Sequence, residues 1–303
     1  MATIRNMPVA LDRPAARLRQ RSPWLRALRA SLGVRRTWAG LVLLAVATGT
    51  ALLGPLVAPH GANDIVGRPY AGPGAAALLG TDYLGQDVWS RLLRGGGWVL
   101  LTAVLATLLG MVLGVVAGLV AGYARGWVDE VIMRVCDVVL AFPQLVLVLV
   151  LLSVAGPRRW LVIVVVGVSH APRVARLARG MTTALATREF VQSAQALGER
   201  RTRILFSELL PNMSGPLLAE LGLRLTYSVG LVASIGFLGF ASDPRAADWG
   251  LMINENGLAL AVQPWAILAP VLAIAVLALG ANLVADGIAR AAAGMDPRTG
   301  ADS

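Results

Sequence analysis

The sequence predicts an all-α integral membrane protein with six transmembrane helices. Three observations carry that prediction. Over 303 residues, hydrophobic side chains make up 56% and charged ones only 15%, with a mean hydropathy of +0.68, which excludes a typical soluble domain. Six windows are apolar over about 20 residues each, the length that crosses a hydrocarbon core of about 30 Å. All 27 basic residues are arginine, and they are distributed unevenly. The first 36 residues hold nine against a lone Asp12, and the stretch Arg173 to Arg203 holds seven. The other side keeps only Arg68, Arg91, Arg94, Arg158, Arg159 and Arg245. By the positive-inside rule both termini and the stretch around 188–212 face the cytoplasm, and six spans give the even parity this requires. The net charge of +10 therefore reads as topological, and no nucleic-acid partner is expected.

Taken in order, residues 1–37 form an Arg-rich cytoplasmic leader that touches anionic lipid or stays solvated. It is too long, and the following apolar run too extended, for a cleaved signal peptide. Residues 38–96 carry the first span (Trp38 to Val57), a Gly/Pro-rich external loop and a short segment with Asp87, Ser90, Arg91 and Arg94 on one face. Opposite them stand Val88, Trp89, Leu92 and Leu93. That pattern predicts an interfacial helix anchored by Trp89, with Asp87 and Arg91 as an i,i+4 pair.

Residues 97–288 form the transmembrane domain. Its first window, Trp98 to Ala121, has Gly110, Gly114, Gly118 and Gly122 at four-residue spacing, a smooth face for close helix packing. In the next, Val131 to Val154, Pro143 removes a backbone donor and predicts a kink. His170, Pro172 and Arg173 interrupt Trp160 to Ala178. Met213 to Phe240 and Trp265 to Ile288 complete the set, and residues 289–303 form a cytoplasmic tail.

Charges within the spans are the first candidate site. Asp137 stands one turn from Arg134, and Glu220 precedes Arg224 by four residues, so both can pair locally. At a rise of 1.5 Å per residue from Asn212, Glu220 and Arg224 lie roughly 12 to 18 Å deep. Intramembrane charges face a bundle interior or a watery cavity, which makes Asp137, Glu220 and Arg224 candidates for a transport path. Purely structural compensation is an equal reading. Cys136 is single, so no intramolecular disulfide forms. His60 and His170 have no Cys or carboxylate cluster at ligand spacing, and no metal site is expected.

The second candidate is the polar island Arg188 to Asn212. Its first part has neither Pro nor Gly and places Phe190, Ala194 and Leu197 on one helical stripe, with Glu189, Gln192 and Glu199 largely off it. Gly198 suits a helix C-cap, and Thr202 to Leu210 starts a second helix that Pro211 ends or kinks. Small residues Ser193, Ala194, Ala196 and Gly198 crowd the turn and let a partner approach. On these residues alone, an ordinary cytoplasmic connector fits as well.

The island resembles the coupling loop of ABC importer permeases, whose pattern is Glu-Ala-Ala, three residues, Gly, nine residues, Ile, one residue, Leu-Pro. Gln192, Ser193 and Ala194 occupy the first three positions, Gly198 and Leu210-Pro211 match, and Glu208 replaces the Ile. Leu79, Gly80, Thr81, Asp82, Gly85, Asp87, Ser90 and Arg91 are similar to the signature of the second permease subunit of dipeptide, oligopeptide and nickel importers, with Gln86 for the usual Arg. Asp137, Ala141, Phe142, Pro143 and the closing Asp296-Pro297-Arg298 extend the resemblance. It implies a type I ABC importer permease fold, a peptide cargo, and partners: a homologous second permease, two ATPase subunits that hold ATP and Mg, and an extracytoplasmic solute-binding protein. It also implies that Glu189, Gln192, Ser193, Ala194, Leu197 and Gly198 dock the ATPase. No cofactor is expected on this chain.

Two other functions compete. A membrane enzyme is disfavoured because no paired catalytic carboxylates, His-Glu-x-x-His or Gly-x-Ser-x-Gly motif occurs in the spans. A secondary transporter or channel is disfavoured by the absence of an obvious inverted repeat or filter motif. The chain has no lysine, so it cannot supply the P-loop lysine that contacts ATP phosphates. Dipeptide, oligopeptide, nickel chelate and glutathione remain open as cargo.

Overall fold

The structure, a computed structural model, describes residues 31–33, 35–243 and 246–292. Most of the Arg-rich leader, Arg245 and Asp296-Pro297-Arg298 lie outside the described residues. The helices are α1 (Arg35–Val57), α2 (Val88–Ala124), α3 (Gly126–Leu140), α4 (Gln144–Ala155), α5 (Arg159–Leu185), α6 (Glu189–Ala196), α7 (Ser214–Phe237), α8 (Trp249–Glu255) and α9 (Trp265–Ala292). Among the described residues, α1, α2, α5, α7 and α9 are each long and apolar enough to cross a membrane. A sixth span exists if α3 and α4, bent by 83° at their junction, are taken as one. The kink expected at Pro143 is thus a full break. Pro143 stands at the N-cap of α4 with φ −56°, where its missing N–H costs nothing, and its carbonyl accepts from Leu147 N.

The glycine face of α2 packs along α5. A Cβ on Gly110, Gly114, Gly118 or Gly122 would stand 2.5–2.7 Å from an atom of α5, so the two backbones meet with no side chain between them on the α2 side. α9 packs between α1 and α7, and α1 closes back on α2. Three apolar clusters fill the bundle. One surrounds Trp249, Val88, Val99 and Met252, a second joins Met111, Leu119 and Val174 to the island, and a third lies around Val148, Leu152 and Val166.

The expected interfacial helix is instead the first two turns of α2, and the boundary expected between 96 and 97 falls inside one helix. Gly95-Gly96-Gly97 would ordinarily weaken a helix there. The fully buried Trp249 ring fills the space beside Gly95 and Gly96, and its Nε1 donates to Leu92 O at 2.8 Å. Trp89 is half-buried rather than an exposed anchor, because it lines an apolar cleft with Trp249 and Trp265.

Asp87 and Arg91 do not pair either. Asp87 caps α2, accepting from Trp89 N, Ser90 N and Ser90 Oγ, a role that orients its carboxylate toward the helix N-terminus. Arg91 turns instead to Asp82 and, through Nη2 at 2.9 Å, to Glu255 of α8. Asp82 Oδ1 also accepts from Leu84 N and Gln86 N, each at 2.9 Å. This tight loop depends on Gly85 at φ +83°, whose absent Cβ makes room for the Gly67 carbonyl. Tyr83 N donates to Asn256 Oδ1 at 3.1 Å, so one buried ion network fastens the loop before α2 to α8. Burial pushes the Glu255 carboxyl above the ordinary carboxylate range, with the Arg91 guanidinium opposing that shift.

Candidate functional site

Two groups of residues could act on something outside the chain. The first is the island. Arg188 takes an extended conformation and starts α6, whose first turn carries Glu189 at the end that favours negative charge. The helix ends in a Schellman turn: Glu199 N donates to Ala194 O at 3.1 Å and Gly198 N to Gln195 O at 3.0 Å. Gly198 has φ +74°, the left-handed conformation that such a turn needs. A Cβ there would meet nothing within 4 Å. Gly198 is thus the C-cap residue expected from its position, required by its backbone conformation, and the space beside it is open among the described residues.

Val191 is fully buried and anchors α6 to Ile204, Leu205 and Leu209, an inward contact that the expected stripe omits. Of the stripe, Ala194 is half-buried against the same cluster, and Phe190 and Leu197 are exposed. Leu197 is 83% exposed and Phe190 38%, and with Ser193 and Ala194 they border a groove of about 280 Å³ closed by Ile204 and Glu208. Gln192 is exposed and reaches only Thr187 O, at 3.3 Å. This eight-residue helix fully buries only Val191 and leaves Phe190 and Leu197 exposed.

The expected second helix is irregular. Arg201–Arg203 leads into a π-helical turn, Ile204–Leu209, and Leu210–Asn212 follows before α7. Leu210 N donates five residues back, to Leu205 O. This wider register suits the approach to Pro211, which has no N–H to give. The island thus connects rigidly to α7, through Met213 N bonds to Leu209 O and Leu210 O.

The second group lies within the spans. On α5, Arg179, Arg176 and Arg173 recur every three residues and reach Asp129 of α3, Asp137 of α3 and Gln144 of α4 respectively. Asp137 therefore pairs with Arg176 at 2.5 Å, and Arg134 turns to Glu130. The local Arg134–Asp137 pair is not formed, because the α3–α5 contact offers Asp137 a closer cation. Gln144 Nε2 stands 2.8 Å from Ser169 Oγ and 3.1 Å from His170 Nδ1. His170 Nε2 is 3.0 Å from Ser228 Oγ on α7, which also accepts from Thr107 Oγ1 of α2 at 2.8 Å. Four helices are joined by this buried chain.

One turn before Ser228, Arg224 lies 2.8 Å from Glu220 and 4.9 Å from the centre of the Tyr227 ring, so the expected local pair is present. Its N–H is not directed at the carboxylate, however, and Arg224 Nε and Nη1 are buried without an acceptor. The structure brings Glu220 and Arg224 together and leaves Asp137 apart from them. Gln144, His170, Arg173 and Ser228 were missed as site residues. The signal for three of them was present, since His170 and Arg173 break an apolar window and Gln144 follows a proline break.

Residues 114–294 match the family described as the binding-protein-dependent transport system inner membrane component. The chain is 34% identical over 297 residues to the glutathione transport system permease protein GsiD of Pectobacterium atrosepticum, covering 98% of this chain and 97% of that protein. It is 40% identical over 227 residues to GsiD of Salmonella typhimurium, 75% of this chain and 74% of the relative. Among solved structures, a chain of the inward-facing MetNI methionine ABC transporter matches with a TM-score of 0.53, covering 67% of this chain and 96% of that one. At 19% identity this is a likeness of fold.

Proposed function

Since the chain belongs to the binding-protein-dependent transport system inner membrane components, and is a multi-pass permease subunit of an ABC importer, we propose that α6 is the element through which separate ATPase subunits drive it. The observation that carries this reading is the outward apolar face of α6, with Leu197 83% exposed beside a rigid Schellman turn. Glu189, Gln192, Ser193, Ala194, Leu197 and Gly198 form the docking surface. The complex contains a second, homologous permease, two ATPase subunits that bind ATP and Mg, and an extracytoplasmic solute-binding protein. Both termini and the island lie in the cytoplasm, the side that the arginine distribution favours.

Movement passes from α6 through Val191 to Ile204 and Leu209, and from there to α5 and α7, which meet this cluster at Val174, Ala178 and Leu217. Displacing the ends of α5 and α7 tilts the helices that carry His170, Arg224 and Glu220. A central path can so alternate between two accesses, with no covalent step on this chain. The cargo is glutathione or a short peptide of similar size, the reading that the names of the GsiD relatives support.

Accessibility labelling tests both orientation and docking. In a background with Cys136 replaced, single cysteines at Gly74 and at the fully exposed Leu258 should react with an impermeant thiol reagent from outside intact cells. A cysteine at Leu197 should react only in inverted vesicles, and only after the ATPase subunits are stripped. External labelling of Leu197, or labelling that ignores bound ATPase, would reject the arrangement.

A further inference from the structure

The arginine series on α5 breaks its own pattern. Arg179 and Arg176 each meet an aspartate, but Arg173 meets the neutral amide of Gln144 at 3.1 Å. Among the described residues no carboxylate lies within ion-pair distance of Arg173. It lies inside the apolar window Trp160 to Ala178, about 7.5 Å along α5 from its Ala178 end, where an uncompensated guanidinium is costly unless it faces water or a counter-charge. Arg224 is buried where Arg173 is exposed, and it has a carboxylate beside it but N–H groups without an acceptor. Its side chain is only 9% exposed, Glu220 is its one ion-pair partner among the described residues, and Nε and Nη1 lack acceptors there. Arg173 follows His170 by three residues on α5, and Arg224 precedes Ser228 by four on α7, so the two guanidiniums flank the chain that runs from Gln144 through His170 to Ser228. Two arginines and one glutamate leave the locus one positive charge in excess, with unused N–H donors.

We propose that Arg173 and Arg224 form a carboxylate-binding station on the transport path, where an anionic group of the cargo supplies the counter-charge that the chain does not. The station rests on the reading of the chain as a peptide or glutathione permease and adds to it the group recognised inside the membrane. Guanidinium suits the task because its planar fork presents parallel N–H donors to a carboxylate. Glu220 is then a built-in competitor: it holds Arg224 when the path is empty and yields when the cargo carboxylate arrives, so binding stays weak enough for release. Ser228 and His170 fix the local frame, joining α7 to α5 so that movement of either helix alters the spacing of the two arginines.

The test uses the assembled complex in nanodiscs without the binding protein, and glutathione and its diethyl ester, which has no free carboxylate, as probes. Glutathione should bind saturably and the diester at least tenfold more weakly. Arg173→Gln and Arg224→Gln should each weaken glutathione binding about tenfold, the scale of one charge-assisted hydrogen bond. Glu220→Gln should strengthen it about threefold or more, because the competitor is gone. That opposite sign separates the station from a structural role, which would lower binding in all three variants, and it holds even if an arginine variant fails to assemble. Equal binding of the diester, or no gain in Glu220→Gln, would overturn the inference while leaving the permease reading intact. A wild-type complex that, with its binding protein, imports neither glutathione nor dialanine would overturn the cargo reading and this inference together.

Discussion

Gly198→Arg should reduce uptake at least tenfold while the chain still inserts and can be purified. Gly198 holds φ +74°, and an L-residue in the left-handed region costs about 1–2 kcal/mol. Among the described residues nothing lies within 4 Å of the missing Cβ, so packing neither relieves nor aggravates the strain, and the core beneath is untouched. The expected damage is local. The Schellman bonds from Glu199 and Gly198 open, Leu197 loses its fixed position, and a long cationic side chain enters the docking surface. Every 1.4 kcal/mol lost from that contact weakens ATPase association about tenfold. Gly198→Asn should keep much more activity, since asparagine tolerates the left-handed conformation. Uptake and co-purified ATPase, measured at equal permease yield, check the pair. Wild-type uptake in Gly198→Arg would remove α6 from the coupling path.

Arg91→Leu should be strongly destabilising. The Arg91 side chain is 3% exposed and lies between Asp82 and Glu255, whose side chains are 1% and 12% exposed. Removing it leaves two buried carboxylates without a cation, and breaking such a pair costs about 3–5 kcal/mol. Against a total stability of about 5–15 kcal/mol this is a large share. The loop before α2 and the helix α8 would separate, and Tyr83 would lose its place against Asn256. Thermal unfolding of the detergent-purified protein should show a strongly lowered midpoint or no folded protein. Combining Arg91→Leu with Asp82→Asn and Glu255→Gln should recover part of the loss by removing both stranded charges. A midpoint equal to wild type in the single variant would contradict this account of the network.

The long apolar segments were legible in the sequence because each has to satisfy the bilayer along its whole length. The same holds for the Gly110 to Gly122 face, whose four-residue period has one geometric meaning on a helix. Gly198 was legible as a C-cap, because a helix that stops after Leu197 needs a left-handed residue there. What was not legible depends on partners distant in sequence. Asp87 and Arg91 have the right spacing to pair, yet an N-cap and a buried Glu255 from 164 residues away decide where each turns. Arg134 and Asp137 fail in the same way, since the winning cation, Arg176, comes from another helix. The boundary expected at 96/97 fails likewise, because Trp249, more than 150 residues away, packs against Gly95 and Gly96 and the helix runs on. His170 and Arg173 counted against an apolar window, and that same anomaly marked the polar chain inside the membrane.

The central claim is that ATP hydrolysis on separate subunits, passed through α6, drives import along a path within this chain and its partner permease. Uptake by the complete complex in proteoliposomes tests it most directly, with the binding protein and radiolabelled glutathione on the extracytoplasmic side. The account predicts accumulation only when Mg-ATP is present on the side where α6 is exposed, no accumulation with a non-hydrolysable analogue, and indifference to collapse of the proton and sodium gradients. Accumulation that follows an ion gradient and proceeds without ATP would contradict it.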